Sequence, residues 1–317
     1  MKAVPVRRMY RSVMSVRPSG KQFEIRSGPH VATVVEVGAG IRAYEVDGRP
    51  VLHPYDVDAM CDAAHGAVLV PWPNRLADGK YQFEGRDLQV AITEPTKHNA
   101  IHGLLRWRPW TARELQPDRA VMTARLYPMT GHPFALEVDV DYFLGDDGLV
   151  VATTARNIGD QACPYGSGQH PYLSPGEGVI DDCLLTISAA TRIDTDSTRQ
   201  LPTGREAVAG TDFDFRAGTR LGDRQVDHAF TDLDRDEDGR AWVRLQGVDS
   251  RTAELWADES YPYLELFTAD TLARDRKRRG LGVEPMTCPP DAFNSRDDLI
   301  VLEPGESVKS VWGARLV

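Results

Sequence analysis

The stretch ALEVDVDYFL sets Leu136, Val138, Val140 and Tyr142 alternately with Glu137, Asp139 and Asp141. A period of two puts successive side chains on opposite faces of a strand, so one face of this segment is dry and the other wet. The run passes into the turn GDDG and then into the β-branched segment LVVATTARNIG, which together predict an antiparallel hairpin. YQFEGRDLQVAI repeats the logic with Gly85 between two short alternating runs, and ESVKSVWGARLV places Val308, Ser310, Trp312 and Ala314 on one face. Helical patterns are short and confined to residues 57–64 and 221–230. No strand, helix, strand rhythm recurs, which disfavours a parallel α/β fold and leaves an all-β chain as the expectation.

A length of 317 residues is accommodated by one large sandwich or barrel, with two domains as the alternative. With 41% hydrophobic and 26% charged residues the chain can bury a large core. Its net charge of -10 argues against a broad nucleic-acid or anionic-membrane surface and favours a neutral small-molecule partner. The opening MKAVPVRRMYRSVMSVRPSG lacks an apolar run long enough for a signal-peptide core, and no later run approaches a membrane span, so a cytoplasmic protein is expected. Its first twenty or so residues read as a loose extension of the domain. Cys61, Cys163, Cys183 and Cys288 are dispersed, which points to reduced thiols rather than to structural zinc or a disulfide framework.

The chain carries no P-loop, no GxGxxG, no GxSxG and no HExxH. What remains is histidines and carboxylates in turn-like settings. KHNAIHGLLRW holds His98 and His102, YGSGQHPYLSPGEG holds His170, RQVDHAF holds Asp227 and His228, and GVEPMTCPPDAFNS holds Glu284. A loop histidine is more often structural than catalytic, and His98 is read that way. The His98 and His102 pair lacks a nearby carboxylate or thiol to complete a metal site. His170 differs, because Gly166 and Gly168 permit close backbone approach while Pro171 and Pro175 stiffen the exit. Glu284 reads either as an edge-strand residue facing water or as a carboxylate desolvated near Met286 and Phe293 and therefore basic enough to take a proton. Asp227 reads as a helix N-terminal carboxylate, and Arg75 as one half of a surface ion pair. The charge-dense DLDRDEDGR and ARDRKRRG read as solvated loops, the second with an anion site as its less favoured reading.

In this order the segments resemble the aldose 1-epimerase (galactose mutarotase) family. PNRLADGKYQFEGRDLQV is similar to the family's Asn-Arg segment and hairpin, NAIHG to its Asn-x-x-His-Gly motif, and QHPYLSPG to its His-x-Tyr segment. LPTGREAVAGTDFDFRAGTRLG resembles its long connection, VDHAF its Asp-His pair, and VEPMTCPPDAFN its glutamate stretch. The resemblance implies a single large antiparallel β-sandwich over 1–317 that holds one monosaccharide in an open groove and needs no metal or coenzyme, as a monomer or homodimer. It also implies Glu284 as general base, His170 as general acid, His102 as the group that polarises the ring oxygen, and Arg75 and Asp227 as partners of sugar hydroxyls, with Asn74 supporting Arg75.

Departures from the pattern bear on the substrate. Pro171 follows the acid, LLRW replaces the glycines after the first histidine motif, and Glu265 stands where many members carry a sugar-contacting glutamine. A second carboxylate there either disfavours ionisation of Glu284 or pairs with a cation such as Arg75. Trp72 and Trp107 adjoin the matched motifs and could stack on a sugar or simply fill the core. A sugar phosphate as substrate is the alternative that Arg106, Arg108 and RDRKRR suggest, and a sugar-binding sandwich without catalysis is the other.

Overall fold

The structure is a computed structural model and describes residues 16–317; most of the expected N-terminal extension lies outside the described residues. Two antiparallel sheets dominate it. The larger runs in the order Gln22–Ser27, His30–Val35, Ile41–Val46, Arg49–Leu52, Tyr172–Leu173, Leu281–Met286, Tyr263–Phe267, Asp227–Leu233, Ala189–Thr195, Pro202–Ala207. In the other, Leu136–Gly145, Gly148–Asn157 and Ser307–Leu316 are adjacent. One apolar cluster draws on both, from Val34, Tyr44 and Leu266 to Tyr142, Leu255 and Trp312. The chain is therefore an all-β sandwich.

The alternating segment behaves as its period dictates. Leu136, Val138, Val140 and Tyr142 are fully buried. On the wet face Glu137 and Asp141 pair with Arg125 and Arg119 of the adjacent strand, and Asp139 with Arg113 of the strand beyond it. The buried side dominates the energetics, since each large apolar side chain is worth roughly 1.5–3 kcal/mol and each exposed ion pair about 0–1 kcal/mol. Gly85 turns the Lys80–Phe83 and Arg86–Gln89 hairpin with positive φ at both Glu84 and Gly85, the geometry that matches the twist of paired strands. Ser310, Trp312 and Ala314 share the buried face of the last strand, with Val308 partly covered.

Neither expected helix forms. Residues 221–230 enter the strand Asp227–Leu233, where Ala229 and Phe230 are buried and the backbone pairs with two neighbours. Residues 57–64 form a chain of turns, and positive φ at Ala63 and Ala64 is incompatible with a right-handed helix. The only α-helix among the described residues is the single turn Ala292–Ser295.

Candidate active site

Three neighbouring strands of the larger sheet place carboxylates in a cluster. Glu284 lies on Leu281–Met286, an interior strand rather than an edge, and is 2% exposed. It is directly opposite Glu265, which in turn is opposite Ala229, two residues along the strand from Asp227. Burial first, then the charges of Asp227 and Glu284, hold the Glu265 carboxyl far above the ordinary range, and Arg75 pulls the other way. Burial and Asp227 raise Glu284 likewise. Arg75 pairs with Glu94 rather than with Glu265 and touches Glu265 only through its charge, so for Glu265 itself desolvation and repulsion win.

His170 reaches the same place from the short crossing between Gly168–Gln169 and Tyr172–Leu173. A Cβ on Gly168 would lie 2.9 Å from the Pro285 carbonyl oxygen, so only glycine lets the two backbones meet there. The His170 backbone is tied on both sides, its N–H donating to Ala67 O at 3.0 Å and its carbonyl accepting from Gly66 N–H at 2.8 Å. Its ring stacks on Tyr172, which stacks on His65. Nε2 of His170 lies 3.1 Å from Oε1 of Glu284. Burial, with smaller contributions from His65 and Arg106, lowers the imidazole to about 3. The pair thus holds one proton between a basic carboxylate and a weakly basic ring, while Oε2 of Glu284 has no partner among the described residues.

His102 and Asn74 form a reciprocal clasp. The His102 N–H donates to Asn74 O at 2.9 Å, and the Asn74 N–H donates to His102 Nδ1 at 3.2 Å. With Nδ1 accepting, the ring proton sits on Nε2. Burial keeps the ring neutral, its pKa well below 6.5. Asn74 Oδ1 accepts from the Arg75 N–H at 2.8 Å. Arg75 is 8% exposed and binds Glu94 through Nε and Nη2 at 3.0 and 3.1 Å, a buried bidentate pair in place of the surface pair expected.

Asn74, Arg75, His102, His170, Asp227 and Glu284 line one open cleft of about 610 Å³. Asp227 is half-buried at the start of its strand and accepts from Gln200, which corrects its reading as a helix N-terminal residue. Glu265 is not on the cleft surface, and the charges of Asp227 and Glu284 act on it from beside. Trp72 is also displaced from its expected role, being 3% exposed and packed edge-on against Phe293 at 5.6 Å, whereas Trp107 lines the cleft. His98 is exposed and pairs with Asp78, and His228 packs against Phe213 away from the cleft. In the basic run, Arg276 pairs with Asp62 and Arg278 is buried against Asp181 and Asp270, so neither is simply solvated. Glu94, Lys97, Gln200 and Asp62 also line the cleft; they come from irregular loops with no periodic or motif signal.

The donor atoms of His102, His170 and Glu284 all lie within 4.8 Å of one another, close enough to share one ion.

The family model for aldose 1-epimerase matches residues 21–313. The chain belongs to the aldose 1-epimerase family. It is 34% identical to the Escherichia coli K12 protein YihR, itself uncharacterised, over 96% of each chain. It is 28% identical to human galactose mutarotase over 93% of this chain and 95% of that one. Among solved structures, the GalM/aldose epimerase homologue from C. elegans superposes with a TM-score of 0.83 at 20% identity, covering 94% and 98% of the two chains. Galactose 1-epimerase from Lactobacillus acidophilus gives 0.77 at 19% identity, covering 92% of each. These last two likenesses establish the mutarotase-like fold, and membership of the epimerase family makes the chain an isomerase acting on a sugar.

Proposed function

We propose that the chain interconverts the α and β anomers of a free aldose of the glucose or galactose type, working in the cytoplasm. The observation that carries this reading is the 3.1 Å contact between His170 Nε2 and Glu284 Oε1 at the floor of the cleft, beside a neutral His102. Anomer exchange needs one base and one acid within reach of two oxygens on the same carbon. Once the single proton of the pair has passed from the Glu284 carboxyl to His170, Glu284 takes the proton of the anomeric hydroxyl, the bond from C1 to the ring oxygen breaks, and His170 delivers its proton to that ring oxygen. An open-chain aldehyde results. Rotation about the bond from C1 to C2 presents the other carbonyl face, and the two proton transfers run in reverse.

A sugar entering the cleft separates the acid from the base, and each then meets its own oxygen. His102 donates its Nε2 proton toward the ring oxygen, with the Asn74 N–H on Nδ1 fixing that tautomer. Arg75 and Asp227 meet the hydroxyls, and Trp107 offers a flat wall. Four cysteines dispersed along the sequence, none in a CxxC pair, are in keeping with a cytoplasmic setting. Polarimetry on freshly dissolved α-D-glucose and α-D-galactose tests the reading; equilibration at the spontaneous rate on a panel of aldoses would exclude it.

A further inference from the structure

We propose that the aldose carries an anionic group at C6, and that Arg106 binds it. The inference rests on the epimerase reading and names the class of substrate within it.

Three cations line the cleft, and two are committed. Arg75 grips Glu94 in a bidentate pair, and Lys97 Nζ lies 3.5 Å from the same carboxylate. Arg106 has no ion pair and no side-chain hydrogen bond among the described residues, although it is half-buried. Its one defined contact is with Trp107, whose ring lies 4.8 Å from the guanidinium carbon. Stacking covers one flat face and leaves the in-plane N–H donors uncommitted. The side chain sits close enough to the reacting pair for its charge to depress both His102 and His170. Burial lowers its own affinity for a proton as well, and the charges of Cys61 and Glu94 offset this only in part.

An unpaired, partly desolvated arginine within reach of the catalytic groups is costly unless the ligand supplies the partner. The C1 hydroxyl must stay free to react and the ring oxygen must accept a proton, so an anion has to sit elsewhere. In a pyranose, C6 is the exocyclic position where phosphate, carboxylate or sulfonate can replace the hydroxyl without changing the ring. The other acidic groups of the cleft do not compete for Arg106. Glu94 is held by Arg75 and Asp62 by Arg276, Asp227 accepts from Gln200, and Glu284 is engaged with His170. An anion at Arg106 leaves C1 free for Glu284 and His170.

The test uses the purified full chain and measures anomer exchange by NMR magnetisation transfer, with spontaneous exchange subtracted. The substrates are glucose, its 6-phosphate, its 6-carboxylate (glucuronate) and its 6-sulfonate. At least one anionic sugar is expected to exceed glucose in kcat/KM by about tenfold to a hundredfold, the range of a charge-assisted hydrogen-bonded pair. That preference should shrink with added salt. In Arg106→Gln the ratio of anionic to neutral kcat/KM should collapse toward one, and Arg106→Lys should recover part of it; circular dichroism of both variants guards against misfolding. Which anion leads distinguishes the three sources. Glucose outpacing all three anions, or an unchanged ratio in Arg106→Gln, overturns the inference while leaving the epimerase reading intact. Failure with every sugar, neutral and charged, overturns both.

Discussion

Glu265 and Glu284 face each other across adjacent antiparallel strands, 3% and 2% exposed, with Asp227 alongside. Like charges directly opposite on a sheet destabilise it, and here burial adds to the penalty. The arrangement is tolerable because Glu265 keeps its proton. A neutral carboxyl has an O–H to donate, as the side-chain amide of a glutamine has N–H, so the departure from the family pattern preserves a donor.

Stability should therefore fall as pH rises. The unfolded chain releases the Glu265 proton near 4.5, while the folded chain holds it far above that value, so the folded state binds more protons throughout the interval between. Glu265→Gln removes this contribution. Its melting temperature should exceed that of the wild type at pH 8 and approach it at pH 4, each unit of pKa separation being worth about 1.4 kcal/mol. Equal melting temperatures at both pH values would show that Glu265 ionises freely.

Glu284→Gln and His170→Asn should each lower anomer exchange by about a hundredfold to ten-thousandfold, with unchanged far-ultraviolet circular dichroism. Near-normal rates in either variant would refute the assigned roles. A non-catalytic sugar-binding sandwich predicts instead that the wild type has no rate to lose and that Glu284→Gln retains sugar affinity. The pH profile offers a separate check. Activity requires a single proton on the pair, and the imidazole accepts a second only near 3. The acid limb should therefore remain flat well below the ordinary histidine value of 6.5, down to about pH 5 or lower. A rate falling with a midpoint near 6.5 would place His170 in water.

The all-β class was legible because alternation is a local property, readable at Leu136 to Tyr142 without knowledge of the rest of the chain. The helix expected over 221–230 failed because pairing on both sides of Asp227–Leu233 is a long-range property that local composition does not encode. The same distinction runs through the site. His102, His170 and Glu284 were picked out by their motif contexts, and the fold brings them within one cleft. Glu94 and Gln200 were invisible, since each acts through a partner far along the chain, Arg75 and Asp227 respectively. Trp72 shows the opposite error: adjacency in sequence to Arg75 did not bring it to the cleft, because consecutive residues at a turn can point to different sides.

Asn74 combines two demands, a left-handed backbone with φ of 51° and an acceptor for the Arg75 N–H. Asn74→Ala loses the acceptor and meets the full steric penalty, for a cost of about 1–2 kcal/mol or more. Asn74→Gly relieves the backbone and loses only the hydrogen bond. The expected order of melting temperature is wild type, then Gly, then Ala, with KM raised in both variants as Arg75 loses its side-chain anchor, while His102 stays held by the backbone of residue 74. Alanine as stable as glycine would mean that the backbone relaxes out of the left-handed region.

The closeness of His102, His170 and Glu284 makes the cleft vulnerable to a soft divalent ion. Two neutral imidazoles and one carboxylate are a good zinc donor set, and their atoms are within 4.8 Å of one another. Zinc and sugar would compete for the same groups, so Zn²⁺ should inhibit competitively and a chelator should restore the rate. To ligate, the carboxyl of Glu284 must give up its proton, which burial holds far above the usual range, and His102 must free a ring nitrogen by surrendering its Nε2 proton or its contact with the Asn74 N–H. Inhibition should accordingly strengthen as pH rises from 6 to 8, whereas Mg²⁺, which prefers oxygen ligands, should have little effect. His102→Gln should weaken the zinc effect more than it weakens sugar binding, because it deletes one of three metal donors but keeps a hydrogen-bond donor for the ring oxygen. Noncompetitive inhibition, or inhibition indifferent to His102, would place the metal on other groups of the protein.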